Sequence, residues 1–267
     1  RVEMRMAAEA AGLASRSYGT VTSAVPADRT RLRNQGALLK EVRELLTLSR
    51  GYGMESVRQR AMSTAETVSA SLSEVVDDSA LELVVDLRLA FGRLLAALGA
   101  NERAEKEHLD TAELSLSQGW TESACAALAL ASHAAQARGD RASSGRAWHQ
   151  CREAMESWPM NRPGERCGIL VDAVGDPLVA VQVLSALAEV LVDGVEEDHS
   201  RAPIIREIIS RASEQASRCV SPPQGAVESL ARVEERIAPY GRGRGGRRRP
   251  GSTTTITTDG RAGSVVD

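Results

Sequence analysis

The sequence predicts an all-α fold of antiparallel helical hairpins stacked as an α-solenoid, followed by a disordered C-terminal tail. Three observations predict it. Apolar residues recur at helical spacing through most of the chain, between short Gly, Pro, Asn or Asp breaks, and nowhere alternate as a strand would require. Aromatic residues are only 3% of the 267, while Ala, Leu, Val and Ser fill the small and apolar positions, which suits close helix packing better than a β-sandwich. Beyond Pro239 the apolar periodicity stops, and residues 239–267 are a Gly/Arg tract followed by a Thr-rich stretch.

Residues 1–78 read as N-terminal helices. An Ala-rich helix is expected over about 2–14, then a Ser/Thr/Pro-bearing loop over 15–33. Helical sequence resumes at Asn34 with Leu38, Val42, Leu45 and Leu46, and stops at Gly51-Tyr52-Gly53. The next helix, about Met54 to Val75, carries a thin apolar face of Val57, Ala61, Thr64, Val68 and Leu72.

Residues 79–238 read as a helical repeat region. Leu81, Val84, Leu87, Phe91, Leu94, Leu95 and Leu98 form one stripe, with Asp78 or Ser79 as N-cap and Gly99 as the stop. Asn101 is the expected cap of a polar helix to about Ser117, with Leu109, Ala112 and Leu116 buried and Glu102, Arg103, Lys106, Glu107 and Asp110 in solvent. An apolar helix joined to a polar one by two or three residues is an antiparallel hairpin. The pattern repeats as Trp120 to Arg138, then about Ser144 to Trp158, stopped by Pro159. A third pair runs from about Glu165 to Val174 and, with Asp176 as N-cap and Pro177 in the first turn, to Val192. A fourth spans about Ser200 to Val220, with Ile204, Ile205, Ile208, Ile209 and Ala212 on one face, then Pro222 to Ile237.

Composition narrows the function classes. The chain is 42% hydrophobic and 26% charged, as in a soluble globular protein. The net charge of -3 conceals an asymmetry: residues 241–267 hold six Arg against Asp259 and Asp267, or +4, which leaves -7 on residues 1–240. An acidic body is no electrostatic footprint for nucleic acid, so only the tail supplies one. Four cysteines without C-x-x-C spacing point to reduced, structural thiols. The most apolar stretch, Leu178 to Val192, is interrupted by Gln182, Ser185 and Glu189 and reads as a buried core helix, too short and polar for a bilayer. The chain begins Arg1-Val2-Glu3-Met4 with no initiator Met or signal-peptide pattern, so a fragment or processed chain in the cytoplasm is expected, with no membrane association.

Successive helical hairpins are the signature of a solenoid. In Ala147-x-x-x-Cys151-x-x-Ala154-Met155-x-x-x-Pro159, preceded by Leu128, Ala131, Ser132 and Ala135, the small, bulky and Pro positions resemble tetratricopeptide repeats. Glu105, Leu109 and Ala112 after Leu98-Gly99 match less strictly, and the loop Arg138 to Gly145 is about three residues longer than that consensus. Ala112 to Ala154 is 42 residues against the family's ~34, so the resemblance is to the divergent repeats of bacterial regulatory and signalling proteins. It implies a non-enzymatic protein or peptide-binding module, the scaffold or sensor part of a regulator, with Leu128, Ser132, Ala135 and Gln136 near the groove.

The residues offer little chemistry to set against that. Lysine occurs only at Lys40 and Lys106, and no G-x-x-x-x-G-K-[ST] exists. The G-x-G-x-x-G at Gly241, Gly243 and Gly246 follows no strand and opens no helix, so it is not a dinucleotide fingerprint. His149 and Cys151 point about 200° apart on one helix and share no metal, although Cys125, His133 and His149 from two helices form a remote zinc candidate. Asp77-Asp78 and Glu196-Glu197-Asp198 fall where helix starts need acceptors and read as caps. Trp120, Trp148 and Trp158 either fill gaps between helices or line a ligand surface. No catalytic, cofactor or metal site is expected. Arg242, Arg244, Arg247, Arg248 and Arg249 carry the alternative reading, an accessory nucleic-acid binder gripping phosphates through the tail without sequence preference.

Overall fold

The computed structural model describes residues 26–73 and 80–241, and within them all regular structure is helical. The N-terminal helix expected over 2–14, the caps Asp77, Asp78 and Ser79, and the arginine tail lie outside the described residues.

Helix α1, Pro26–Tyr52, starts earlier than expected, so residues 26–33 of the predicted loop are helical. Pro26 suits a helix start, because its fixed φ is helical and its missing N–H would find no partner there. A 3-10 turn, Met54–Val57, follows Gly53, whose φ of 83° ends α1. Helix α2, Arg58–Ser73, buries Ala61, Thr64, Ala65, Val68 and Leu72, close to the expected face.

Three 17-residue helices come next: α3 (Leu81–Ala97), α4 (Asn101–Ser117) and α5 (Thr121–Ala137). The turns joining them, and the turn into α6 (Arg141–Glu156), share one geometry. Gly99, Gly119 and Gly139, spaced 20 apart, take φ of 83°, 72° and 84°. In each turn the glycine N–H bonds the carbonyl three residues back, and the next N–H reaches five back: Ala100 to Leu95, Trp120 to Ser115, Asp140 to Ala135. This is the Schellman arrangement, which satisfies the last carbonyls and reverses the chain in three residues. The turn geometry replaces two expectations. Ala100, not Asn101, caps α4, without a side-chain bond. The connection into α6 is no longer than the others, because Asp140 accepts the Ser143 N–H at 2.9 Å and its hydroxyl at 2.8 Å, which starts the helix at Arg141. Each glycine-to-alanine change at 99, 119 or 139 forces a Cβ into the left-handed region and should lower stability by about 1 kcal/mol, measured by urea unfolding. The neighbourhood of each is open, so the loss reports backbone strain alone.

Helix α7, Pro163–Val174, leads through Gly175 into α8, Pro177–Val192, whose start is as expected: Asp176 accepts the N–H groups of Leu178 and Val179 at 2.9 and 3.3 Å. Helices α9, Arg201–Ser217, and α10, Gln224–Ile237, complete the fold with a short 3-10 turn, Ala238–Gly241. Sequence neighbours other than α6 and α7 pack against one another, and α1 on α3, α5 on α7 and α8 on α10 add contacts between alternate helices.

Two apolar cores result. The smaller joins α1 (Leu39, Val42, Leu45, Leu46) and α2 to one side of α3 (Val84, Leu87, Phe91, Leu94). The larger joins the other side of α3 (Val85, Leu89) to α5 through α10. Helix α3 is therefore buried on both flanks rather than along one stripe, as expected for a helix apolar most of the way round.

Candidate functional site

Three of the four residues predicted to lie near a groove have their side chains occupied within the chain. Leu128 and Ala135 on α5 are buried, and Ser132 is bonded to the Ser144 carbonyl and hydroxyl, each at 3.0 Å. Gln136 is exposed.

The zinc candidate is not assembled: Cys125 is buried, whereas His133 and His149 are exposed. Among the described residues no group of three His, Cys, Asp or Glu could hold a metal ion. Cys125 faces Cys151 across the α5–α6 contact, the Cys151 thiol donating to the Cys125 carbonyl at 3.4 Å. The neighbouring Cys151 and burial push the Cys125 thiol up, and burial raises Cys167 to about 12. These are packed thiols and not nucleophiles. Trp158 lies in the larger core, with Trp120 and Trp148 packed against its edge. Asp198 does not cap the following helix, whose N-cap Ser200 has no side-chain cap bond; it accepts from the Ser200 hydroxyl at 2.6 Å and its N–H at 3.0 Å, which holds its carboxyl below the usual range.

Helix α4 departs furthest from expectation. Its buried face is Ala104, Glu105, His108, Thr111, Ala112 and Ser115, and Leu116 is 50% exposed. Polar groups are tolerated there because most are bonded: Thr111 donates to the Glu107 carbonyl at 2.6 Å, Ser115 to the Thr111 carbonyl at 2.8 Å, and Arg138 to Glu105 at 2.9 Å. Glu107, expected in solvent, accepts from Arg88 of α3 at 2.8 Å, while burial raises its carboxyl above the usual range.

His108 stacks against Gly92 of α3. A Cβ at Gly92 would stand 2.7 Å from Nε2 and 2.8 Å from Nδ1, so glycine permits the close approach. Burial, helped by Arg93, holds the His108 pKa down at about 3 against 6.5. The imidazole is neutral in the fold, so its contribution is whole above pH 6.5. Below that the unfolded chain takes up a proton that the fold refuses, and stability should fall by about 1.4 kcal/mol per pH unit towards pH 3. His108→Phe should flatten this part of the pH profile of urea unfolding, leaving the loss from carboxylates at lower pH.

Arg93 also borders a cleft of about 300 Å³ between α1, α3, the α7–α8 junction and α9, lined by Arg43, Arg50 and Arg218 together with Asp172 and Asp176. Arg43 is held by Asp86 at 3.3 Å and Arg218 by Glu214 at 2.7 Å. Arg50 donates to the Gly175 carbonyl. The Arg93 guanidinium lies across Gly175, where any Cβ would collide with it, and the φ of 60° there also favours glycine. Burial, then repulsion from Arg50 and Arg43, pulls the Arg93 pKa down to about 10. None of the expected site residues lines this cleft. The available signal was Arg43, Leu46 and Arg50 at one-turn spacing on a single helix face.

No protein-family model matches the chain, and no curated protein matches it. Among solved structures, the DHF58 filament is similar over 80% of this chain and 100% of that one, at 21% identity and a TM-score of 0.29. A likeness that slight carries no argument about fold or function.

Proposed function

We propose that the chain is a non-enzymatic, tetratricopeptide-like helical repeat module that binds a protein or peptide partner, as the scaffold or sensor part of a bacterial regulatory protein. The observation that supports this most is the run of three equivalent turns at Gly99, Gly119 and Gly139. Each reverses the chain in the same way, so helices of 17, 17, 17 and 16 residues follow one another and a hairpin takes 40 residues, from Asn101 of α4 to Arg141 of α6. Arrays of this kind present extended surfaces on which an elongated partner can lie.

Gln136 is the groove residue through which contact is expected. A photo-crosslinking amino acid at Gln136 should yield a discrete protein adduct in source cells, with the same substitution at exposed Tyr52 as the control position. No adduct at Gln136, or an equal one at Tyr52, would remove the groove assignment. The accessory nucleic-acid reading makes the opposite demand: binding should fall steeply with salt and vanish when residues from Gly241 onward are deleted.

A further inference from the structure

We infer that the cleft between α1, α3, the α7–α8 junction and α9 is a binding site for a phosphate group. The charges of two of its arginines are balanced by partners outside the cleft, Arg43 by Asp86 and Arg218 by Glu214. Those of Arg50 and Arg93 are less well met: Asp176 attracts Arg93, but Arg50 and Arg43 repel it more. Arg50 donates to a carbonyl, which is neutral, and Arg93 makes no hydrogen bond or ion pair with a described residue. Of the two carboxylates in the lining, Asp176 accepts both cap N–H groups of α8 through one oxygen and Asp172 is already engaged. A half-buried guanidinium beside like charges is stabilised by an anion that shares its cleft. A phosphate between Arg50 and Arg93 would supply acceptors in the paired geometry that guanidinium forks match and would offset the mutual repulsion of Arg93, Arg50 and Arg43.

The cleft also has an apolar side, Leu46, Val171 and Pro177, and about 300 Å³ is at the lower end for a small-molecule site. That leaves room for a small organic body on the phosphate. The site joins segments far apart in sequence, so occupancy would clamp α1 to the α7–α8 junction. This inference does not depend on the protein-partner reading above and survives its failure.

The test is calorimetric titration and thermal unfolding of the full chain at low ionic strength with ribose 5-phosphate, inorganic phosphate and ribose. Saturable binding of the phosphates with a rise in Tm, and none with ribose, is expected. Arg93→Gln and Arg50→Gln should each weaken it about tenfold, the loss of one charge-assisted contact, with circular dichroism confirming that each variant folds. Arg236→Gln, which removes an exposed ion pair to Asp193, should leave it intact. Tighter binding of ribose 5-phosphate than of phosphate assigns a phosphomonoester, and equal binding assigns free phosphate. The site is overturned if neither phosphate binds saturably, or if Arg236→Gln weakens binding as much as Arg93→Gln does.

Discussion

Leu184→Ala is expected to destabilise the fold by about 3 kcal/mol, measured as a lowered urea midpoint with an unchanged slope. Leu184 is fully buried on α8, the helix against which both α9 and α10 pack, and belongs to the larger core. Removing three carbons there leaves a cavity that three helices would have to collapse to fill. Leu116→Ala is the matched control. The sequence places Leu116 on a buried stripe of α4, but it is half exposed, so its truncation should change stability by only about 0.5 kcal/mol. Equal losses at the two positions would contradict the assignment of which α4 face is buried.

Arg166→Met should be of similar size, about 3 kcal/mol, for an electrostatic reason. Arg166 on α7 donates to Glu122 on α5, whose side chain is only 8% exposed. Without the guanidinium, the carboxylate is left as a half-dry, unpaired charge between two packed helices. Adding Glu122→Gln to Arg166→Met removes that charge and should recover most of the loss, so the two substitutions will not add. Additive losses would mean that the pair contributes through packing of the Arg166 stem instead.

How much of this was legible in the sequence depends on whether the signals were local. The limits of α8 follow from Asp176, Pro177 and the apolar run to Val192, where cap, first-turn proline and periodicity agree. The stops at Gly99 and Gly139 were legible for the same reason. The start of α6 was not, because Arg141-Ala142-Ser143-Ser144-Gly145 looks like loop sequence until Asp140 is seen to accept both Ser143 groups. The buried face of α4 was hidden because its polar members are paid for by bonds invisible to hydropathy: hydroxyls reaching back one turn and a carboxylate met by Arg138 from the next turn. Three proposed groove residues failed to reach a surface because α5 packs against α4, α6 and α7 together, which periodicity in a single helix does not reveal. The arginine cleft draws on four separate segments and has no linear signature beyond Arg43 and Arg50.

The most direct test of the central claim is partner capture from the source lysate with the full chain and with residues 1–240, each before and after nuclease treatment. The account predicts one discrete protein, recovered by both forms, resistant to nuclease and crosslinking through Gln136. Recovery that requires nucleic acid and disappears with Arg242 to Arg249 would contradict it and assign binding to the tail.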